Sequence, residues 1–157
     1  MSSTTKKEIK LVIPGSHLML DLLGHHDEFL KIIESRFNSR IFVRGNEISI
    51  SGENGEVQTV AALFKELVEI LNSGQKLTSE QVGQAIELVK EKSPLTPKEL
   101  FSDVILVHRG KQIVPKTPGQ KRYVDAVRQN TATFAIGPAG TGKTYLAMAM
   151  AVQALKK

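Results

Sequence analysis

Cysteine is absent from the 157 residues. That excludes a disulfide framework and any thiolate metal site, and it suits a reducing compartment. The four histidines, His17, His25, His26 and His108, lack the spacing with other donors that a ligand set requires. No apolar run is long enough to span a bilayer. The first residues, MSSTTKKEIKLVIPGSH, lack the sustained apolar stretch of a signal peptide. The expectation is a cytoplasmic chain with no membrane partner. Acidic residues are scarce in one half only. Residues 1–75 hold 8 Lys/Arg and 10 Asp/Glu, a balance of −2, whereas residues 93–157 hold 10 and 3, a balance of +7. The overall +5 is therefore concentrated in the second half, where it suits nucleotide phosphates or nucleic acid.

What is present reads as an α/β chain. IKLVIP (9–14) is a β-branched strand stopped by Pro14-Gly15. SHLMLDLL (16–23) is a short helix opened by a serine, and GHHD (24–27) breaks it. DEFLKIIESRF (27–37) places Phe29, Ile32, Ile33 and Phe37 on one helical face. RIFVRG (40–45) and EISISG (47–52) are strands joined by a tight turn at Gly45-Asn46. Residues 54–71 form a longer helix with an apolar stripe from Val57 to Leu71. Another helix is expected over 79–91, where Thr78 and Gln81 have capping-box spacing. KSPLTPKEL (92–100) reads as a proline-marked linker. Beyond it come a hairpin (VILVH, a turn at Arg109-Gly110, QIVP), a helix over 119–130 and a short strand, TATFAI (131–136). A final helix runs to the chain end.

Between that last strand and helix stands GPAGTGKT, Gly137 to Thr144. It matches G-x-x-x-x-G-K-[ST] in full, the spacing of a phosphate-binding loop. The glycines let successive N–H groups turn inward as an anion nest, and the following helix adds the positive end of its dipole. Gly137, Pro138, Ala139, Gly140, Thr141 and Gly142 form the cradle, and Lys143 supplies an ammonium for the β- and γ-phosphates. Thr144 offers a hydroxyl to Mg²⁺. Gln120, 17 residues before Gly137, carries an amide that can donate to and accept from an adenine edge, although spacing alone favours an ordinary solvated glutamine.

Hydrolysis also needs a carboxylate on a neighbouring strand, and commonly a cation to stabilise the developing charge. After Thr144 there is no Asp or Glu, so no catalytic set is complete in this chain. YLAMAMAVQAL (145–155) is apolar at ten of eleven positions, the pattern of a helix covered on all sides. One strand and a hairpin cannot cover it, so the chain reads as the front of a longer protein, with an apolar helix open to association.

ILVHRGKQIVPKTPGQKRYVDAVRQNTATFAIGPAGTGKTYLAMAMAVQAL resembles the start of the PhoH family of P-loop ATPases, relatives of superfamily 1 helicases. The resemblance implies a RecA-like α/β core, use of ATP with Mg²⁺, a link to RNA metabolism, and ATP hydrolysis by a complete protein. It implies phosphate contact for Gly137 through Thr144 and adenine contact for Gln120. The family's later motifs have no counterpart before Lys157.

The first half is similar to a KH-type RNA-binding module in its order: strand, helix, helix, strand, strand, helix. GHHD stands where such modules carry a G-x-x-G loop that clamps nucleic-acid backbone, but its fourth residue is Asp27. Arg36, Arg40 and Arg44 offer a basic strip; an ordinary solvated face and a protein-docking role remain alternatives to RNA binding. The expected organisation is a KH-like α+β domain at 1–75, a helix and linker at 76–100, and the truncated start of a RecA-like P-loop domain at 101–157. An alternative function is an RNA- or protein-binding module that works through its first domain alone.

Overall fold

The structure is a computed structural model, and it describes residues 6–156. The chain divides into two compact units, Met1–Lys98 and Glu99–Lys157. The expected α/β class holds in its coarse form: helices accompany two small antiparallel sheets.

The first unit runs β1 (Lys6–Val12), α1 (Ser16–Leu23), a single 3-10 turn (His25–Asp27), α2 (Glu28–Arg36), β2 (Arg40–Arg44), β3 (Glu47–Glu53), α3 (Asn54–Asn72) and α4 (Ser79–Lys90). The strands pair antiparallel in the order β1-β3-β2. Side chains alternate between faces along each strand. The register therefore lines up Ile9 with Ile50 and Ile41, and Leu11 with Ile48 and Val43, on one face. Ile48 and Ile50 are completely buried. The α3 stripe of Val57, Val60, Phe64 and Leu67 is buried with them, as the helical periodicity requires. The opposite face of the sheet stays open.

β1 starts three residues earlier than expected and stops at Val12, because its ladder with β3 reaches back to Lys6↔Glu53. Ile13 N–H makes the last bond, to Asn46 O at 2.8 Å, and Pro14 has no N–H to continue. Gly45, at φ 58°, supplies the positive φ of the β2–β3 turn. The Thr78–Gln81 capping box forms in full: Gln81 N–H donates to Thr78 Oγ1 at 3.2 Å and Thr78 N–H to Gln81 Oε1 at 3.1 Å. α4 lies against α2 and α3. At the foot of α3, Glu56 accepts from Ser39 Oγ at 2.6 Å and from Asn38 N–H at 3.0 Å. Burial opposes this carboxylate's charge, but those hydrogen bonds, with the Lys90 charge, win and hold Glu56 below its ordinary value.

The segment expected as linker is not featureless. Pro97 begins a one-and-a-half-turn helix, α5 (Pro97–Ser102), whose Leu100 and Phe101 are buried. Proline is tolerated at the first helical position because that N–H has no intrahelical partner anyway.

The second unit carries β4 (Leu106–His108), β5 (Lys111–Ile113), α6 (Pro118–Gln129) and α7 (Lys143–Leu155). The hairpin closes through Arg109 and Gly110, both at positive φ. Ile105, Val124, Leu146 and Ala149 form its core, with Leu106, Ile113, Tyr123 and Met150 packed around them. Residues 131–136, expected as a strand, pair with nothing among the described residues. Phe134 and Ile136 stand 94% and 101% exposed. A strand exists through its ladder; among the described residues β4 and β5 pair only with each other, so this apolar segment joins no sheet. α7 shows the exposure its composition foretold: Leu146 and Ala149 are buried, while Tyr145, Met148 and Leu155 face outward.

Candidate nucleotide-binding site

The site is built where the α6 N-terminus meets the loop ahead of α7. Thr117 caps α6, its Oγ1 accepting from Gln120 N–H at 3.2 Å. Pro118 follows at the first helical position. The cap places the Gln120 side chain across the glycine loop. Its Oε1 accepts from Lys116 N–H at 2.7 Å, and its Nε2 donates to Thr141 O at 3.1 Å. Gln120 therefore ties the lead-in to the loop, with both ends of its amide occupied by backbone.

The loop adopts the conformation its glycines permit. Gly140 and Gly142 have φ 77° and 84°, a region that costs other residues energy. A Cβ on Gly142 would also sit 2.9 Å from Gln120 Nε2, so two constraints converge on that glycine. α7 begins immediately, with Leu146 N–H bonding to Gly142 O at 2.9 Å. The N–H groups of the first turn, from Lys143 to Tyr145, have no partner within the helix and add a positive dipole end.

Lys143 lies back over the loop. Its ammonium donates to Pro138 O at 2.6 Å, to Gly137 O at 2.9 Å and to Thr141 Oγ1 at 2.9 Å. Thr141 Oγ1 in turn donates to Pro138 O at 3.0 Å. All three ammonium protons are thus held by neutral acceptors. An anionic phosphate oxygen is a stronger acceptor than a carbonyl, so the lysine is placed to exchange one for the other. The adjacent cavity, about 330 Å³, is lined by Thr117, Gln120, Tyr123, Gly137 and Lys143 among others.

The structure brings Gly137, Pro138, Thr141, Lys143 and Gln120 together around one cavity. Ala139 and Gly140 form the outer bend of the loop. Thr144 is exposed on the first turn of α7. Among the described residues, no group of three or more His, Asp or Glu side chains is arranged to hold a metal ion. The two carboxylates nearest in chain order are engaged elsewhere. Lys121 Nζ lies 3.0 Å from Asp103 and 2.6 Å from Asp125, and Arg128 holds Asp103 at 2.8 Å. Burial disfavours the Asp103 charge, yet the Arg128 and Lys121 hydrogen bonds prevail and hold its carboxyl below the ordinary value. The Lys121 ammonium is raised, chiefly by its hydrogen bond to Asp125. Sequence reasoning missed Thr141 as the hub of the loop and Thr117 as the cap that aims Gln120. The Thr-x-x-Gln spacing at 117–120 was the available signal.

A model of the PhoH-like protein family matches residues 112–157, which include Gln120 and the whole loop. A PhoH-like protein of Mycobacterium bovis is 46% identical over 139 residues, 88% of this chain and 40% of its own length. The chain belongs to the PhoH-like family. A PhoH-like protein of Bacillus subtilis is 38% identical over 138 residues, 87% of this chain and 43% of its own. One from Synechocystis is 30% identical over 156 residues, 99% of this chain and 47% of its own. The chain thus spans less than half the length of these PhoH-like relatives, and the likeness covers both units. No solved structure matches it significantly. No helix among the described residues is long and apolar enough to cross a membrane.

Proposed function

We propose that the chain carries the ATP-binding loop of a PhoH-like P-loop ATPase, and that the complete protein hydrolyses ATP in RNA metabolism. One observation carries the reading: Lys143 Nζ sits within the loop on three neutral acceptors, at the head of a helix whose first N–H groups are open. In this reading Gly137 through Gly142 cradle the phosphates, Lys143 neutralises the β- and γ-phosphates, and Thr144 supplies a hydroxyl to Mg²⁺. Mg²⁺ needs few protein ligands when phosphates complete its shell, so a single hydroxyl fits an ion that arrives with ATP. The RecA-like assignment of residues 101–157 belongs to the same reading.

Gln120 is assigned to adenine, with one condition set by the geometry. Its amide must release Thr141 O or Lys116 N–H before it can meet a base. Turnover needs a carboxylate that residues 145–157 do not contain, so this chain is expected to bind ATP without hydrolysing it. The test is a titration with fluorescent ATP in the presence and absence of Mg²⁺. Lys143→Ala should weaken binding by tenfold or more; unchanged binding would sink the reading. Appreciable ATPase activity from the purified chain would show that a carboxylate is recruited from elsewhere.

A second reading concerns the first unit. The β1-β3-β2 sheet with its two intervening helices supports a KH-like domain that contacts RNA or a protein. The turn expected to clamp backbone is less favourable. His26 and Asp27 sit at positive φ, Asp27 and Glu28 are exposed, and Lys31 Nζ is drawn to His26 O at 3.0 Å.

A further inference from the structure

The open face of the three-stranded sheet has a composition that core packing does not explain. Residues on β2 that point away from α3 are Arg40, Phe42 and Arg44. Phe42 is 77% exposed, among the most exposed large apolar side chains of the first unit. An aromatic left in water on a sheet is ordinarily covered by a cross-strand aromatic or β-branched neighbour. Here its partner across the ladder is Ser49, and Ser51 stands opposite Arg40. Both neighbours are too small to shield the ring, so its flat face is free.

The charges around the ring are arranged unevenly. Arg40 and Arg44 stand two residues to either side of Phe42, together spanning roughly 13 Å along an edge strand. Both are exposed, and neither has an ion-pair partner among the described residues. The third arginine of the expected basic strip is not part of this row. Arg36 lies on α2, with its guanidinium 3.0 Å from Glu87. Glu47 stands opposite Arg44 in the ladder, but its carboxylate lies 3.3 Å from Lys10 Nζ and accepts from Ser49 Oγ; Glu53 is in register with Lys6, and Glu8 lies two strands away from β2.

An exposed ring flanked by two free guanidinium groups is a stacking platform with a phosphate contact on either side. We propose that the β2 row of Arg40, Phe42 and Arg44 binds single-stranded nucleic acid. One unstacked base lies on Phe42 and the adjoining phosphates meet the arginines. The assignment moves the nucleic-acid surface away from the helix–helix turn at residues 24–27. It does not depend on ATP binding, because it uses a different unit and no nucleotide.

The test uses the whole chain without nucleotide and a fluorescein-labelled single-stranded oligouridylate, read by anisotropy over a salt series. Phe42→Ala should weaken binding about tenfold, in line with the loss of one stacked base. Arg40→Gln with Arg44→Gln should reduce the slope of log K against log salt by about 1.4, the signature of two single-strand phosphate contacts. His25→Ala should bind like the parent chain, and a duplex RNA should compete poorly because its bases are already stacked. All three side chains are exposed, so thermal unfolding should be unchanged and folding is not in question. No binding of the oligouridylate at low salt would overturn the proposal, as would equal binding by Phe42→Ala. So would self-association abolished by Phe42→Ala without oligouridylate binding, which would assign the face to a second copy of the chain.

Discussion

Gln120 Nε2 donates to Thr141 O at 3.1 Å, and this bond joins the start of α6 to the glycine loop. The same Thr-x-x-Gln spacing occurs at Thr78–Gln81, with a different result. Gln81 closes on its own cap, accepting from Thr78 N–H at 3.1 Å. Gln120 instead accepts from Lys116 N–H at 2.7 Å, one residue further back, which leaves its Nε2 directed at the loop.

Replacing Gln120 should therefore act on the loop before it acts on a base. Gln120→Ala should raise amide hydrogen exchange around Thr141 and weaken ATP binding about tenfold, the scale of one lost hydrogen bond between ordered groups. If adenine is read by the same amide, the variant should also lose its preference for ATP over GTP. Faster exchange with the preference intact would leave Gln120 as a brace only.

Gly142→Ala should be harmful for two separate reasons. The residue sits at φ 84°, where a side chain costs about 1 kcal/mol, and the added Cβ would meet Gln120 Nε2 at 2.9 Å. Loss of nucleotide binding with a lowered melting temperature is expected. In Gly142→Ala combined with Gln120→Ala, part of the stability loss should be recovered, because one of the two conflicts is gone. Gly55→Ala, with open space around it inside α3, should be neutral or slightly stabilising.

The Asp103–Lys121–Arg128 cluster predicts a pH dependence of stability on both limbs. Asp103 is held below its ordinary value of 3.8, so its contribution is complete above that value and disappears as pH falls through the lower folded-state value. Lys121 is raised above its ordinary 10.5, so its contribution is complete below that value and fades as pH rises through the higher folded-state one. Chemical denaturation across pH should show Asp103→Asn with a flatter acid limb than the parent. An unchanged acid limb would mean that the ion pairs are not maintained in solution.

Phe64 is completely buried on α3 in the first unit. Phe64→Ala should cost roughly 3–5 kcal/mol, the range for a large aromatic removed from a packed core. Thr78→Ala, which removes only the cap of α4, should cost about 1 kcal/mol. Denaturant midpoints of the two variants should keep that order.

Local signals explain what could be read in advance. The α3 stripe, the Thr78 capping box, the Gly45 turn and the glycine loop each depend on residues within a few positions of one another. Periodicity and capping chemistry carry such information directly. Residues 131–136 show where this fails. TATFAI has a strand's composition, but whether it becomes a strand depends on a neighbour distant in sequence, and none among the described residues pairs with it. Pro97 adds a different lesson: within the segment expected as a linker, where the two units divide at Lys98 and Glu99, it opens a short helix with two buried side chains.

The amino-acid sequence by itself determined the glycine loop, because its conformation resides in its own eight residues and their backbone freedom. It also determined the order of strands and helices from β1 to α4. Only the tertiary structure decided which distant groups meet. It turned Gln120 toward Thr141, drew Arg36 to Glu87, and left Arg40, Phe42 and Arg44 alone in one row. Those outcomes rest on register and on long-range packing, where a displacement of one residue along a strand would exchange the open and buried faces.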